Sequence, residues 1–173
     1  MEENKMDQLT IENMTDISEM NGKYLTFWTD GQLFGIPIAD VVQIVGMQEI
    51  TSIPEFPHYA KGIINLRGSI IPVIDVRLRF NKPEMKYNER TCIVVTNIKE
   101  SLIGFIVDEV DEVVKIDEEQ ISKPPQLSSE RSDAHTNLSG IGKLQNKIVL
   151  LINSETMLSD DTIDFLTSAY ETN

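Results

Sequence analysis

One cysteine and two histidines among 173 residues leave little material for thiol or metal chemistry. A single Cys92 cannot close an internal disulfide. His58 and His135 stand far apart, and no Cys-x-x-Cys or His-x-x-x-His spacing brings ligands together, so no metal site is expected. Cys92, inside the apolar stretch Thr91–Asn97, reads as a small buried hydrophobe and the histidines as surface residues.

Long hydrophobic runs are missing too. The longest aliphatic run is Ile148–Ile152, whereas a membrane-spanning helix needs about 20 apolar residues. Met1 is followed by Glu-Glu-Asn rather than by a basic region and an apolar run, so the chain reads as cytoplasmic, reaching a membrane only through a partner. Cations are scarce: 15 Lys and Arg face 28 Asp and Glu, a net charge of -13. Nucleic-acid affinity comes mainly from neutralising phosphate, which disfavours such a partner.

Catalytic signatures fail one by one. No Gly-x-Ser-x-Gly elbow occurs. Ser139-Gly140-Ile141-Gly142-Lys143-Leu144 resembles a phosphate loop, but Asn137 stands where the first Gly is needed and Leu144 where Ser or Thr is needed. A β-turn with permissive glycines is the expectation there. The acidic run Asp108-Glu109-Val110-Asp111-Glu112 is interrupted by valines and lacks the central Gly of a calcium loop, so solvated strand edges are expected. No enzyme activity, catalytic residue or cofactor is predicted.

What is present is material for a core. Hydrophobic residues make up 40 % of the chain, and a domain of about 150 residues buries roughly 70 % of its unfolded surface. Charge is uneven: residues 1–60 carry net -8, 61–99 net +5 and 100–173 net -10. Opposite potentials on one surface orient a partner, and a solvated face without a role is the plainer alternative.

Residues 1–21 are polar and read as a mobile tail or short docking helix. Tyr24–Thr29, the turn Asp30-Gly31 and Gln32–Ile36 predict a hairpin. Further strands are expected at Val41–Gly46, Gly62–Leu66, Ile70–Asp75, Thr91–Asn97, Leu102–Val107, Val110–Ile116 and Lys147–Ile152. Short links favour hairpins over parallel crossovers, and short strands in this number suggest small barrels or a sandwich. A single helical turn is expected after Pro57 and a helix after Ser159, with Ser122–Thr136 as a surface loop. No usable internal repeat stands out.

The most informative segment is Lys61-Gly62-Ile63-Ile64-Asn65-Leu66-Arg67-Gly68-Ser69-Ile70-Ile71-Pro72-Val73-Ile74-Asp75-Val76-Arg77. Two apolar strands flank a turn in which Gly68 supplies backbone freedom and Arg67 is presented near the tip, where a cation can grip a carboxylate. With Phe34–Ile38 followed by Val41 and Ile44, Gly104–Val110 and Ile121–Pro125, it resembles the CheW family of bacterial chemotaxis coupling proteins. The resemblance spans roughly residues 22–158, between the 1–21 tail and a 159–173 C-terminal helix and tail.

That resemblance implies a mainly β fold of two packed five-stranded SH3-like β-barrels, with a hydrophobic groove at their junction. It implies a non-catalytic adaptor joining the cytoplasmic tips of methyl-accepting chemoreceptors to the regulatory domain of the histidine kinase CheA, recruited to the receptor array by binding. The groove for a receptor helix would comprise Leu25, Ile38, Val41, Ile44 and Val110; core packing is the alternative for all five. A helix laid there gains roughly 25 cal/mol per Å² of apolar area, much of it offset by association entropy. Asn65, Arg67 and Gly68 match the family's coupling turn, and Gln43 replaces a common Glu, removing a charge. Two other readings are a coupling domain for a kinase pathway outside chemotaxis, and a ligand-binding barrel. The latter needs a polar pocket with inward aromatics, whereas those here, Trp28 among them, are scattered.

Overall fold

Apolar residues on alternate positions, and in places on consecutive ones, give strands buried on one or both faces. A computed structural model of the protein describes residues 20–124 and 137–158. His135, the helix expected after Ser159, most of the 1–21 tail and most of the Ser122–Thr136 loop lie outside the described residues.

Strands β1 (Lys23–Thr29) and β2 (Gln32–Pro37) form the expected hairpin, turning through Asp30 and Gly31 at φ 51° and 73°. A 3-10 turn over Ile38–Asp40 leads into β3 (Val41–Gly46). Then come β4 (Ala60–Leu66), β5 (Ser69–Asp75), the short helix α1 (Val76–Arg79), β6 (Cys92–Ile98) and β7 (Ser101–Val107). After them follow β8 (Glu109–Lys115), β9 (Ile121–Ser122), β10 (Leu138–Leu144), β11 (Lys147–Ile152) and the short helix α2 (Ser154–Met157). The predicted strands fall within a residue or two of these bounds.

Three expectations need correction. After Pro57 there is a turn rather than a helix, closed by Ala60 N donating to the Pro57 carbonyl at 2.9 Å, because the chain enters β4 at once. Ser139–Leu144 is strand β10 rather than a turn: its glycines lie where crossing side chains leave no room. Helix α1, which the strand reading did not place, follows β5 because the Asp75 carboxylate caps it by accepting from Arg77 N and Leu78 N. Two strand pairs are parallel, β5 with β7 and β2 with β11, although the rest are antiparallel.

A repeat is also present, in permuted order. One sheet runs β3-β6-β7-β5-β4, the other β8-β1-β2-β11-β10-β9. Reading across in those orders, each antiparallel or parallel pairing in one sheet recurs in the other, and Thr51 bridging Ile63 occupies the place of β9 on β10. Each sheet's hairpin before its short helix carries the same start, Gly62-Ile63 in one and Gly140-Ile141 in the other. The physical constraint is shared: a Cβ on Gly62 would stand 2.1 Å from the Thr51 carbonyl, and one on Gly140 2.6 Å from the Ile121 side chain. Because one copy is split between the two ends of the chain, a linear scan does not display it.

Packing follows from the alternation. In β6, Ile93 and Val95 point into the β3 sheet's own cluster with Ile64, Ile71, Val73 and Ile106, whereas Val94 and Ile98 face the other sheet. In β1, Tyr24 and Trp28 pack against the β8 sheet's cluster of Leu33, Ile116, Val149 and Leu151, whereas Leu25 and Phe27 face outward to the junction. Each sheet thus curls around a small core of its own, as a barrel does, and a third, larger cluster joins the two. The junction includes the stacked rings of Phe27 and Phe34, 5.8 Å apart.

Candidate functional site

The chain passes between the barrels at two crossovers, Ile38–Asp40 before β3 and Asp108 before β8. Each delivers an edge strand: β3 borders one sheet and β8 the other. Val41 and Ile44 of β3 turn toward the junction cluster, as do Val110 and Val113 of β8. The bulges between Val41 and Gln43, and opposite Leu25 and Phe27 on β8, put apolar side chains three apart on the same face.

The five apolar residues expected to line a groove all belong to this cluster or pack on it. They occupy two depths. Leu25 and Ile38 are 1 % and 2 % exposed and Val41 is 7 % exposed, which places them in the floor. Ile44 and Val110 are half-buried, so side-chain surface reaches solvent along the seam. Sequence reading missed Val113, also half-buried beside Val110, and Val42, which is 42 % exposed on β3. The spacing in Val110-x-x-Val113 matches Val41-x-x-Ile44 and was the available signal. Between the sheets, a pocket lined by Phe27, Ile36, Val94, Phe105 and Ile152 is wholly apolar and too narrow for water. It is packed interior.

The second group lies at a hairpin tip. Asn65, Arg67 and Gly68 are exposed, and Leu66 pairs with Ser69 around a two-residue turn. Arg67 at φ 54° and Gly68 at φ 91° give the doubly left-handed turn that matches strand twist. Asn65 Oδ1 accepts from Gly68 N at 2.9 Å and holds it. Because β5 and β7 are parallel neighbours, the Lys99-Glu100 turn before β7, also left-handed at both residues, stands at the same end of the barrel. Gln43 is half-buried on β3 opposite Val95. No hydrogen bond or ion pair joins it to Arg67.

Part of the basic segment 61–99 is turned inward. Arg77 is nearly buried and ion-paired with Asp30 and Asp108, and its hydrogen bond to Asp108 pushes the guanidinium above its ordinary pKa even though burial works against the charge. Arg79 donates to the Met157 carbonyl at 2.7 Å and lies over the Tyr59 ring. Lys61 pairs with Glu84, whose carboxyl is held below its ordinary pKa by that hydrogen bond. The Tyr87 hydroxyl donates to Asp75 at 2.8 Å, and burial first, then that bond and the charges of Asp75 and Glu84, push its pKa well above the ordinary phenol value. Arg67 remains exposed at its tip.

Among the described residues no group of three His, Cys, Asp or Glu is placed to hold a metal ion. No helix among them is long and apolar enough to cross a membrane.

Residues 23–162 match the family profile described as the CheW-like domain. The chemotaxis protein CheW of Klebsiella aerogenes is 32 % identical over 139 residues, 80 % of this chain and 82 % of that protein. The chemotaxis protein CheW of Bacillus subtilis is 30 % identical over 149 residues, 86 % of this chain and 94 % of that protein. Among solved structures, the crystal structure of scaffolding protein TtCheW from Thermoanaerobacter tengcongensis is similar with a TM-score of 0.73 and 35 % identity, covering 82 % of this chain and 94 % of that one.

Proposed function

Because the chain belongs to the CheW-like family, whose members are non-catalytic scaffolds of chemotaxis, we propose that it couples the cytoplasmic tips of chemoreceptors to the regulatory domain of the histidine kinase CheA. A receptor helix lies along the seam between β3 and β8. It touches Ile44, Val110 and the rim around them, while Leu25, Ile38 and Val41 give the floor its shape. Asn65, Arg67 and Gly68 form a second contact at the hairpin tip, to receptor or kinase. The neutral Gln43 leaves that contact without a charge on β3. The protein works in the cytoplasm and joins the receptor array through these partners.

The observation that carries this reading is the half-buried apolar surface of Ile44 and Val110, on edge strands of two different barrels over one shared cluster. An amphipathic helix buries such a seam along its apolar face, and the modest area predicts reversible binding. Relay of a signal also requires that each partner shift the other's affinity.

The test is a titration of the isotopically labelled full chain with a receptor-tip fragment, followed by amide chemical shifts. Shifts concentrated on β3 and β8 support the seam. Saturable binding that moves neither strand, or no binding to any receptor tip, overturns it. In parallel, Arg67→Glu is expected to weaken ternary assembly with receptor and kinase while keeping the melting temperature, because an exposed turn residue has little part in stability.

A further inference from the structure

The two banks of the seam are fastened by unequal means. Where the chain crosses into β8, Asp108 is gripped by the Arg77 fork: Nε donates to Oδ1 at 3.0 Å and Nη2 to Oδ2 at 2.7 Å. The same guanidinium donates through Nη1 to Asp30 Oδ1 at 3.1 Å and to the Pro83 carbonyl at 3.4 Å. Asp108 Oδ2 also accepts from Asp30 N at 2.9 Å, and Asp108 N donates to the Trp28 carbonyl at 3.0 Å. Arg77 belongs to α1, which follows β5, the first strand of the parallel pair in the β3 barrel, whereas Asp30 is the tip of the first hairpin in the β8 barrel. One side chain therefore ties both barrels and the link between them.

At the other crossover the corresponding contact is a single neutral donor. Ser154 Oγ, in α2, donates to Asp40 Oδ2 at 2.6 Å just before β3 begins. By the repeat, α2 stands to its sheet as α1 does to the other, with Asn153 capping one as Asp75 caps the other, so the two contacts come from the first turns of corresponding helices, one position apart. A planar, always-charged fork with three anchor points resists displacement far more than one hydroxyl, which rotates and finds water easily.

We propose that Arg77 is a positioning residue for the seam: by holding Asp108 and Asp30 it fixes where the β8 bank lies relative to the β3 barrel. The proposal rests on the groove reading above and deepens it. The β8 bank is the fixed side, and adjustment to a bound helix falls on β3. Val110 lies two residues beyond Asp108, so a shift of the crossover moves a rim residue directly.

The experiment measures amide residual dipolar couplings on the full chain without partner, for wild type, Arg77→Met, Arg77→Lys and Ser154→Ala, at a temperature well below each melting midpoint. Affinity for a receptor-tip fragment is measured on the same samples. Arg77→Met is expected to reorient β8 against the β3 sheet and to weaken binding about tenfold, within the usual range of coupling between sites. Arg77→Lys keeps the charge but loses the fork, should show the same changes in part, and is the variant to read should Arg77→Met not fold. A lowered melting temperature with unchanged couplings and unchanged affinity in the folded protein would overturn the proposal. Failure of the wild-type chain to bind a receptor tip would sink the groove reading instead, while the couplings still decide whether Arg77 sets the orientation.

Discussion

The barrel built around β3 and the barrel built around β8 share one strand circuit but are finished with different chemistry. In the first, the turn after β4 is Arg67-Gly68 with both residues left-handed, the close approach at Gly62 is to backbone, and the following helix reaches across with Arg77 and Arg79. In the second, the equivalent turn is Gln145-Asn146 without a positive φ, the close approach at Gly140 is mainly to a side chain, and the following helix offers Ser154. The comparison separates what a topology demands from what a particular surface adds. Small residues at the crossing and a capped helix after the parallel strand occur twice; the guanidinium clasp and the strained cationic tip occur once.

Substitutions in matched pairs are the way to break that comparison. The largest difference is expected for Arg77→Met against Ser154→Ala. Removing the guanidinium leaves two carboxylates facing each other and should cost about 3 kcal/mol, the lower end for buried pairs because Asp30 is partly solvated. Removing the hydroxyl should cost about 1 kcal/mol. Denaturant midpoints check both, and equal losses would erase the asymmetry.

A second pair is Gly62→Ala against Gly140→Ala. At Gly62, φ is +146° and the new methyl meets the Thr51 carbonyl, so about 3 kcal/mol is expected. At Gly140 φ is not in the left-handed region, and the nearest atoms are the Ile121 Cγ2 methyl at 2.6 Å and the Ser122 carbonyl at 3.1 Å, so strain from the backbone conformation is absent and about 2 kcal/mol is expected. Thermal melts that rank them in the reverse order would contradict the backbone-against-side-chain distinction.

A third pair lies along one strand, Val41→Asp against Val42→Asp. Val41 is almost sealed and its replacement should cost several kcal/mol, roughly the penalty of an unpaired buried polar group. Val42 is exposed, so its replacement should stay within about 0.5 kcal/mol and act, if at all, on partner binding. Receptor-fragment affinity and melting temperature together distinguish floor from rim.

The smallest effect concerns pH. The raised pKa of Tyr87 means that the folded state holds the phenol proton more tightly than the unfolded state. Its contribution is fully present below the ordinary phenol pKa near 10.0 and is lost progressively as pH rises above it. Tyr87→Phe should therefore show a shallower loss of stability between about pH 10 and 11 than wild type. An identical slope would mean that Tyr87 titrates alike in both states.

Much of this was readable in advance, for local reasons. The Asp30-Gly31 turn and Gly68 of the second turn are specified by residues that tolerate positive φ, and the strands around them by period-two alternation. The depth of Leu25 and Ile38 relative to Ile44 was not readable, because an apolar residue looks the same in a floor and on a rim. Nor was the inward turn of Arg77 and Arg79: as part of a basic segment they suggested surface charge, and only the proximity of Asp30, Asp108 and the Met157 carbonyl gives them partners.

By itself, then, the amino-acid order determined the β character, most of the hairpins and the likeness to the family, since these depend on neighbours a few residues apart and on recurring short motifs. The tertiary structure decided which of those residues remain open to solvent, which cations are clasps, and that the chain repeats itself in permuted order. Those properties arise between segments far apart in sequence, such as Asp30 and Arg77 or Gly62 and Thr51, whose meeting depends on how the two sheets close and pack.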